Sequence, residues 1–88
     1  MPMVLVVDDD KTLADTLAII LRSSAYDVAV AYNGRHGYEL ANSLRPDLVM
    51  SDVAMPEMDG VEMAMKICHE FAGPTFCLFP ARQARWIC

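Results

Sequence analysis

Two rhythms of apolar and polar positions alternate along the 88 residues. Val4 to Val7 is an unbroken, largely β-branched run, the pattern of a strand covered on both faces of a parallel sheet. Three aspartates, Asp8 to Asp10, stop it, and Asp10 or Thr12 can cap a following helix by accepting a first-turn N–H. Leu13, Leu17, Ile20 and Leu21 then recur at helical spacing, with Ala14 and Ala18 small enough for close packing. Ser23-Ser24 ends that helix. Asp27 to Tyr32 reads as a shorter second strand, and Asn33-Gly34 punctuates it and can cap a helix through about Leu44. Gly37 inside that helix costs roughly 1 kcal/mol relative to alanine, so a tight helix–sheet contact is expected there. Pro46 marks the exit to a third strand, Asp47 to Val53. A third helix is predicted over Val61 to Phe71, with Val61, Met65, Cys68 and Phe71 as its recurring apolar positions and its methionines as core filler. After Gly73-Pro74, Thr75 to Phe79 reads as a fourth strand. The order β-α-β-α-β-α-β predicts an α/β fold with right-handed crossovers.

Composition bounds this picture. Eighty-eight residues, 55% of them hydrophobic, suit one small globular domain with little surplus stability. The net charge of −5 argues against a nucleic-acid-binding surface on this segment. The charge is uneven: residues 1–70 carry −7, and residues 71–88 carry +2 from Arg82 and Arg85. Cys68, Cys77 and Cys88 form no C-x-x-C and suggest neither a disulfide framework nor a zinc site, so idle reduced thiols are expected. No secretory signal and no run of membrane-spanning length is present in the pattern, so no membrane partner and a cytoplasmic location are expected. His36 and His69 stand apart from each other and from the acids, as ordinary exposed helix positions do.

The chemistry concentrates in Asp52-Val53-Ala54-Met55-Pro56-Glu57-Met58-Asp59-Gly60, which follows the apolar Leu48-Val49-Met50. An acid at the carboxyl end of a strand, followed by a Pro- and Gly-marked loop, is where open α/β sheets place their ligands. Pro56 is expected to shape the loop by fixing φ and Gly60 by permitting positive φ, with Asp59 as a helix cap. This stretch, with the strand-end Asp8-Asp9, resembles the receiver domain of two-component response regulators. The resemblance runs from residue 3 to about residue 78. It implies a flavodoxin-like parallel sheet of order 2-1-3-4-5 with helices on both faces, here incomplete at its C-terminal end. In that order the first and third strands are neighbours and Asp8, Asp9, Asp10 and Asp52 converge. Carboxylates about 4 Å apart repel by roughly 4 kcal/mol at an effective dielectric near 20, so a hard divalent cation is expected among them, and magnesium suits a site that also meets a phosphoryl group. The resemblance assigns the parts: Asp52 as phosphoacceptor and nucleophile forming an aspartyl phosphate, Asp9 as direct metal ligand, Asp8 as its neighbour acting through water, and the Ala54 backbone carbonyl as a further ligand. It also implies a sensor histidine kinase or phosphotransfer protein as partner, and a phosphorelay role in place of an enzyme's turnover.

The sequence departs from the family beyond that point. A receiver has five βα units; this chain has three and a fourth strand, so 1–79 is read as a partial receiver domain and 80–88 as an atypical tail. The family's switching hydroxyl at the end of the fourth strand falls on Phe79 or Pro80, and no lysine follows Lys66. A phosphate-accepting receiver made switching-defective by truncation is therefore expected, or alternatively a non-switching interaction module or phosphate sink, with self-association through an exposed sheet edge beside Leu48-Val49-Met50. A competing pattern is Asp8-Asp9-Asp10-Lys11-Thr12, similar to the Asp-x-Asp-x-Thr strand end of haloacid-dehalogenase-type phosphatases, with Asp8 as nucleophile and Asp10 as general acid. It leaves the Asp52 loop unexplained.

Overall fold

The apolar runs become strands, two of which are followed by or end in acids. The computed structural model describes residues 2–70 and 73–79. In chain order it comprises β1 (Met3–Val7), α1 (Lys11–Ser23), β2 (Asp27–Ala31), α2 (Gly34–Leu44), β3 (Leu48–Asp52), α3 (Gly60–Glu70) and β4 (Thr75–Phe79). All pairings are parallel, in the order β2-β1-β3-β4. This is the predicted doubly wound sheet. Residues 80–88, the predicted tail, lie outside the described residues, as does Phe71.

Each face of the sheet has its own core. Val4, Val6, Val28, Val30, Leu48 and Met50 pack with Ala14, Leu17 and Leu21 of α1. Leu5, Val7, Ala31 and Val49 pack on the opposite face with Ala41 of α2 and Met63 and Ile67 of α3. β1 is buried at Val4 to Val7 because it has a strand on each side and helices on both faces. β3 is likewise internal, lying between β1 and β4. The exposed edge expected beside Leu48-Val49-Met50 is thus corrected: among the described residues the outer strands are β2 and β4, because Thr75–Phe79 pairs with the whole of β3.

Two apolar stripes are also corrected. Ile20 is exposed, and the inward face of α1 is Ala14, Leu17, Ala18 and Leu21. On α3, Val61, Met65 and Cys68 face outward, Met65 with 68% of its surface exposed, while Gly60, Met63 and Ile67 are buried. Cys68 is a free, exposed thiol. Cys77 is disulfide-bonded, against the expectation of reduced thiols, because no spacing in the sequence reveals which cysteines a fold brings together.

The cost of Gly37 has a visible return. A Cβ there would stand 2.8 Å from both Met63 Sδ and Val7 Cγ2, so this glycine is what lets α2 settle onto β1 and α3. Gly37→Ala should lower stability by about 1–2 kcal/mol, overpacking outweighing the gain in helix propensity. Urea unfolding midpoints check it; a raised midpoint would mean that Met63 moves aside freely.

Candidate functional site

The parallel register carries the ends of β1 and β3 to one level, Val7 opposite Ser51, so the residues that follow meet above the sheet. Asp8 remains tied to the strand layer through its N–H, which donates to the Ala31 carbonyl at 3.1 Å. Its side chain is 1% exposed. Oδ1 accepts from the Asp10 N–H at 2.9 Å, whereas Oδ2 is buried and has no hydrogen-bond partner. Burial pushes the Asp8 carboxyl up from 3.8 to about 6; the Asp10 N–H opposes this, and the charges of Asp52, Asp9 and Asp10 add to it.

Asp52, the last residue of β3, is 4% exposed, and its Oδ1 accepts from the Ala54 N–H at 3.3 Å. Asp9 is exposed above the pair. One carboxylate oxygen from each of Asp8, Asp9 and Asp52 lies within 4.8 Å of the others. Three acids so placed, one with an orphaned buried oxygen, fit a hard cation that takes oxygen ligands. The expected fourth member is elsewhere: Asp10 Oδ1 accepts from Leu13 N at 3.1 Å as the N-cap of α1. Of Ala54, the structure shows the N–H on Asp52.

The loop that follows Asp52 is closed on itself. Gly60 N donates to the Val53 carbonyl at 2.8 Å, and Met58 N to that of Pro56 at 2.8 Å. Met55, 8% exposed, anchors the loop in the core. Asp59 caps α3 as expected, accepting from Glu62 N at 2.8 Å. The expected role of Gly60 is corrected. No described glycine has positive φ, and the left-handed residue of this loop is Glu57, at φ 66°. Gly60 is needed for closeness: a Cβ would collide with the Asp52 carbonyl oxygen.

Two further side chains brace the elements that carry the acids. Tyr32, just after β2, donates to Asp15 Oδ1 at 2.6 Å and carries the Lys11 ammonium 5.4 Å from its ring centroid, fastening the start of α1 to the sheet. Phe79 stands opposite Asp52 in the β3/β4 register, is 5% exposed, and accepts from Val53 N at 3.0 Å through its carbonyl. The resemblance already marks Phe79 as standing in the place of the switching hydroxyl; nothing marks Tyr32. A surface groove of about 600 Å³ beside α3, lined by Tyr38, Val61, Met65 and Lys66 among others, includes none of the three clustered acids.

Fold and site together define a class, a doubly wound parallel α/β domain with a cluster of acids able to hold a cation at the carboxyl ends of its two central strands. A family model for the response regulator receiver domain matches residues 4–84, and the chain belongs to that family, the receiver domains of two-component phosphorelay signalling. It is 39% identical over 67 residues to the DNA-binding dual master transcriptional regulator RpaA of Synechocystis, covering 76% of this chain and 28% of RpaA. It is 43% identical over 60 residues to the DNA-binding response regulator MtrA of Mycobacterium tuberculosis, covering 68% of this chain and 26% of MtrA. The chain thus spans about a quarter of the length of these curated relatives. Among solved structures, chemotaxis protein CheY4 of Vibrio cholerae matches with TM-score 0.84 and 27% identity over 94% of this chain and 75% of that one. The N-terminal domain of WS1339 from Wolinella succinogenes matches with TM-score 0.85 and 28% identity, over 90% and 64% respectively. Among the described residues, no helix is long and apolar enough to cross a membrane.

Proposed function

We propose that this receiver domain takes a phosphoryl group onto Asp52 with magnesium held by Asp8, Asp9, Asp52 and the Ala54 carbonyl. The observation that carries the reading is the convergence of three carboxylate oxygens within 4.8 Å, one of them on an acid with a buried, unpartnered oxygen. A cytoplasmic sensor histidine kinase or phosphotransfer protein is the donor. An Asp52 carboxylate oxygen attacks phosphorus, the bond from phosphorus to the donor's imidazole nitrogen breaks, and the imidazole leaves with the electron pair. Magnesium, when bound, offsets charge on the transferring group. The chain's own part is to hold Asp52 still, through both neighbouring strands and the Ala54 N–H. The domain is an acceptor and, beyond reaction with small phosphodonors, not an enzyme.

The phosphatase-like alternative needs Asp10 free as a general acid, and its carboxylate is engaged as the cap of α1. Phe79, at the register position of Asp52, offers no side-chain hydroxyl to a phosphoryl oxygen, which supports a domain that stores phosphate and switches weakly. Self-association would run along the outer edge of β4.

Incubation with magnesium and acetyl phosphate, then borohydride reduction and peptide mass spectrometry, should locate the modification on Asp52, and Asp52→Asn should abolish it. Modification of Asp8 that survives in Asp52→Asn would favour the phosphatase-like reading instead.

A further inference from the structure

We propose that Phe79 is a water-excluding wall that lengthens the life of the phosphoryl group on Asp52, an inference that rests on Asp52 being the acceptor. Asp52 sits between two unlike neighbours. On the β1 side stands Asp8, one place beyond the Val7–Ser51 pair. On the β4 side stands Phe79, directly in register. Parallel strands lie about 4.8 Å apart and registered side chains share a face, so the ring flanks the carboxylate. Both side chains are nearly closed to solvent, Asp52 at 4% and Phe79 at 5%. The Val53 N–H to the Phe79 carbonyl fixes the end of β4 against the loop, so the wall is held at the level of the reacting atoms.

Loss of the phosphoryl group is a hydrolysis. A water oxygen bonds to phosphorus, the bond from phosphorus to the Asp52 carboxylate oxygen breaks, the carboxylate leaves with the electron pair, and the water's proton goes to solvent as inorganic phosphate departs. A phenyl ring offers no acceptor for that proton and no hydrogen bond to hold the water, and its bulk removes water from that side. The open side is that of Asp9, the exposed member of the trio.

The experiment measures decay of the Asp52 modification in the folded domain for Phe79, Phe79→Leu, Phe79→Val and Phe79→Ala, with decay after denaturation as the unshielded reference. Decay should quicken as side-chain volume falls, by about threefold or more from Phe to Ala, with Leu within about twofold of Phe; denatured samples should decay alike. If the alanine variant does not fold, the step from Leu to Val carries the same test. Equal decay across the folded series, with the modification still on Asp52, overturns the wall and leaves the acceptor in place. A modification retained in Asp52→Asn removes the acceptor, and the wall with it.

Discussion

Replacing Asp8 by asparagine should make the metal-free domain more stable near neutral pH while erasing its response to magnesium. Asp8 is shut away from water beside Asp52 and Asp9, and its carboxyl is pushed up from 3.8 to about 6, burial being the main cause. The folded state therefore holds this proton more tightly than the unfolded state does. Below about pH 3.8 both states are protonated and the contribution is complete. Between 3.8 and 6 the unfolded chain ionises first, so stability falls as pH rises; above 6 the contribution is gone. The whole change corresponds to about 3 kcal/mol. An asparagine keeps an oxygen for the Asp10 N–H and puts an amide N–H where the orphaned oxygen faces the other acids, replacing repulsion by donation. Asp8→Asn should gain about 1–3 kcal/mol at pH 7.5 without metal. In the parent, magnesium should raise the melting point increasingly as its concentration passes the dissociation constant, because binding to the folded state alone is linked to stability. Melts between pH 4 and 7.5, with and without magnesium, measure all of this. A flat metal-free profile, or a variant that still responds to the metal, would remove the proposed site.

Gly60→Ala should damage the domain severely. The added Cβ would run into the Asp52 carbonyl and stand 3.1 Å from Ser51 Oγ, and backbone at the end of an internal strand cannot yield as a side-chain tip can. The loss is expected at about 3 kcal/mol, the upper part of the overpacking range, or roughly 15 °C in melting point for a domain of this size. Magnesium binding should weaken with it, because the loop that would be displaced carries Ala54 and adjoins Asp52 at the end of β3. Thermal melts and a metal titration test both; an unchanged midpoint would show that the loop relaxes without cost.

Gly60 also explains what the amino-acid pattern revealed and what it hid. The strands were legible because a parallel sheet buries whole runs such as Val4–Val7, and the caps because Asp10, Asn33 and Asp59 are residue types that accept first-turn N–H groups. The phase of α3 was not. Val61-Met65-Cys68 and Gly60-Met63-Ile67 are both apolar series at helical spacing, and periodicity cannot choose between them. The choice is made by the turn, which must bring Gly60 against Asp52 and thereby sets Met63 and Ile67 inward. The positive φ at Glu57 was hidden for a similar reason: the loop's closure imposes it on a residue with no preference for it. Asp8 and Asp52 were legible as strand-end acids, whereas the departure of Asp10 from the cluster depended on which N–H its side chain reached.

The central strand pair also sets an order of events. β1 pairs with β3 across some forty intervening residues, and the Met3 N–H reaches Asp47 Oδ2 over a separation of 44. On a growing chain β1 can pair first only with β2, its nearer neighbour, and loop closure makes the distant pairing the later one. Asp8 and Asp9 thus wait on an unfinished sheet until Asp52 arrives. The acidic trio exists only once the two halves have docked, so a cation bound there would act as a latch on the finished topology, slowing its unravelling without hastening its formation.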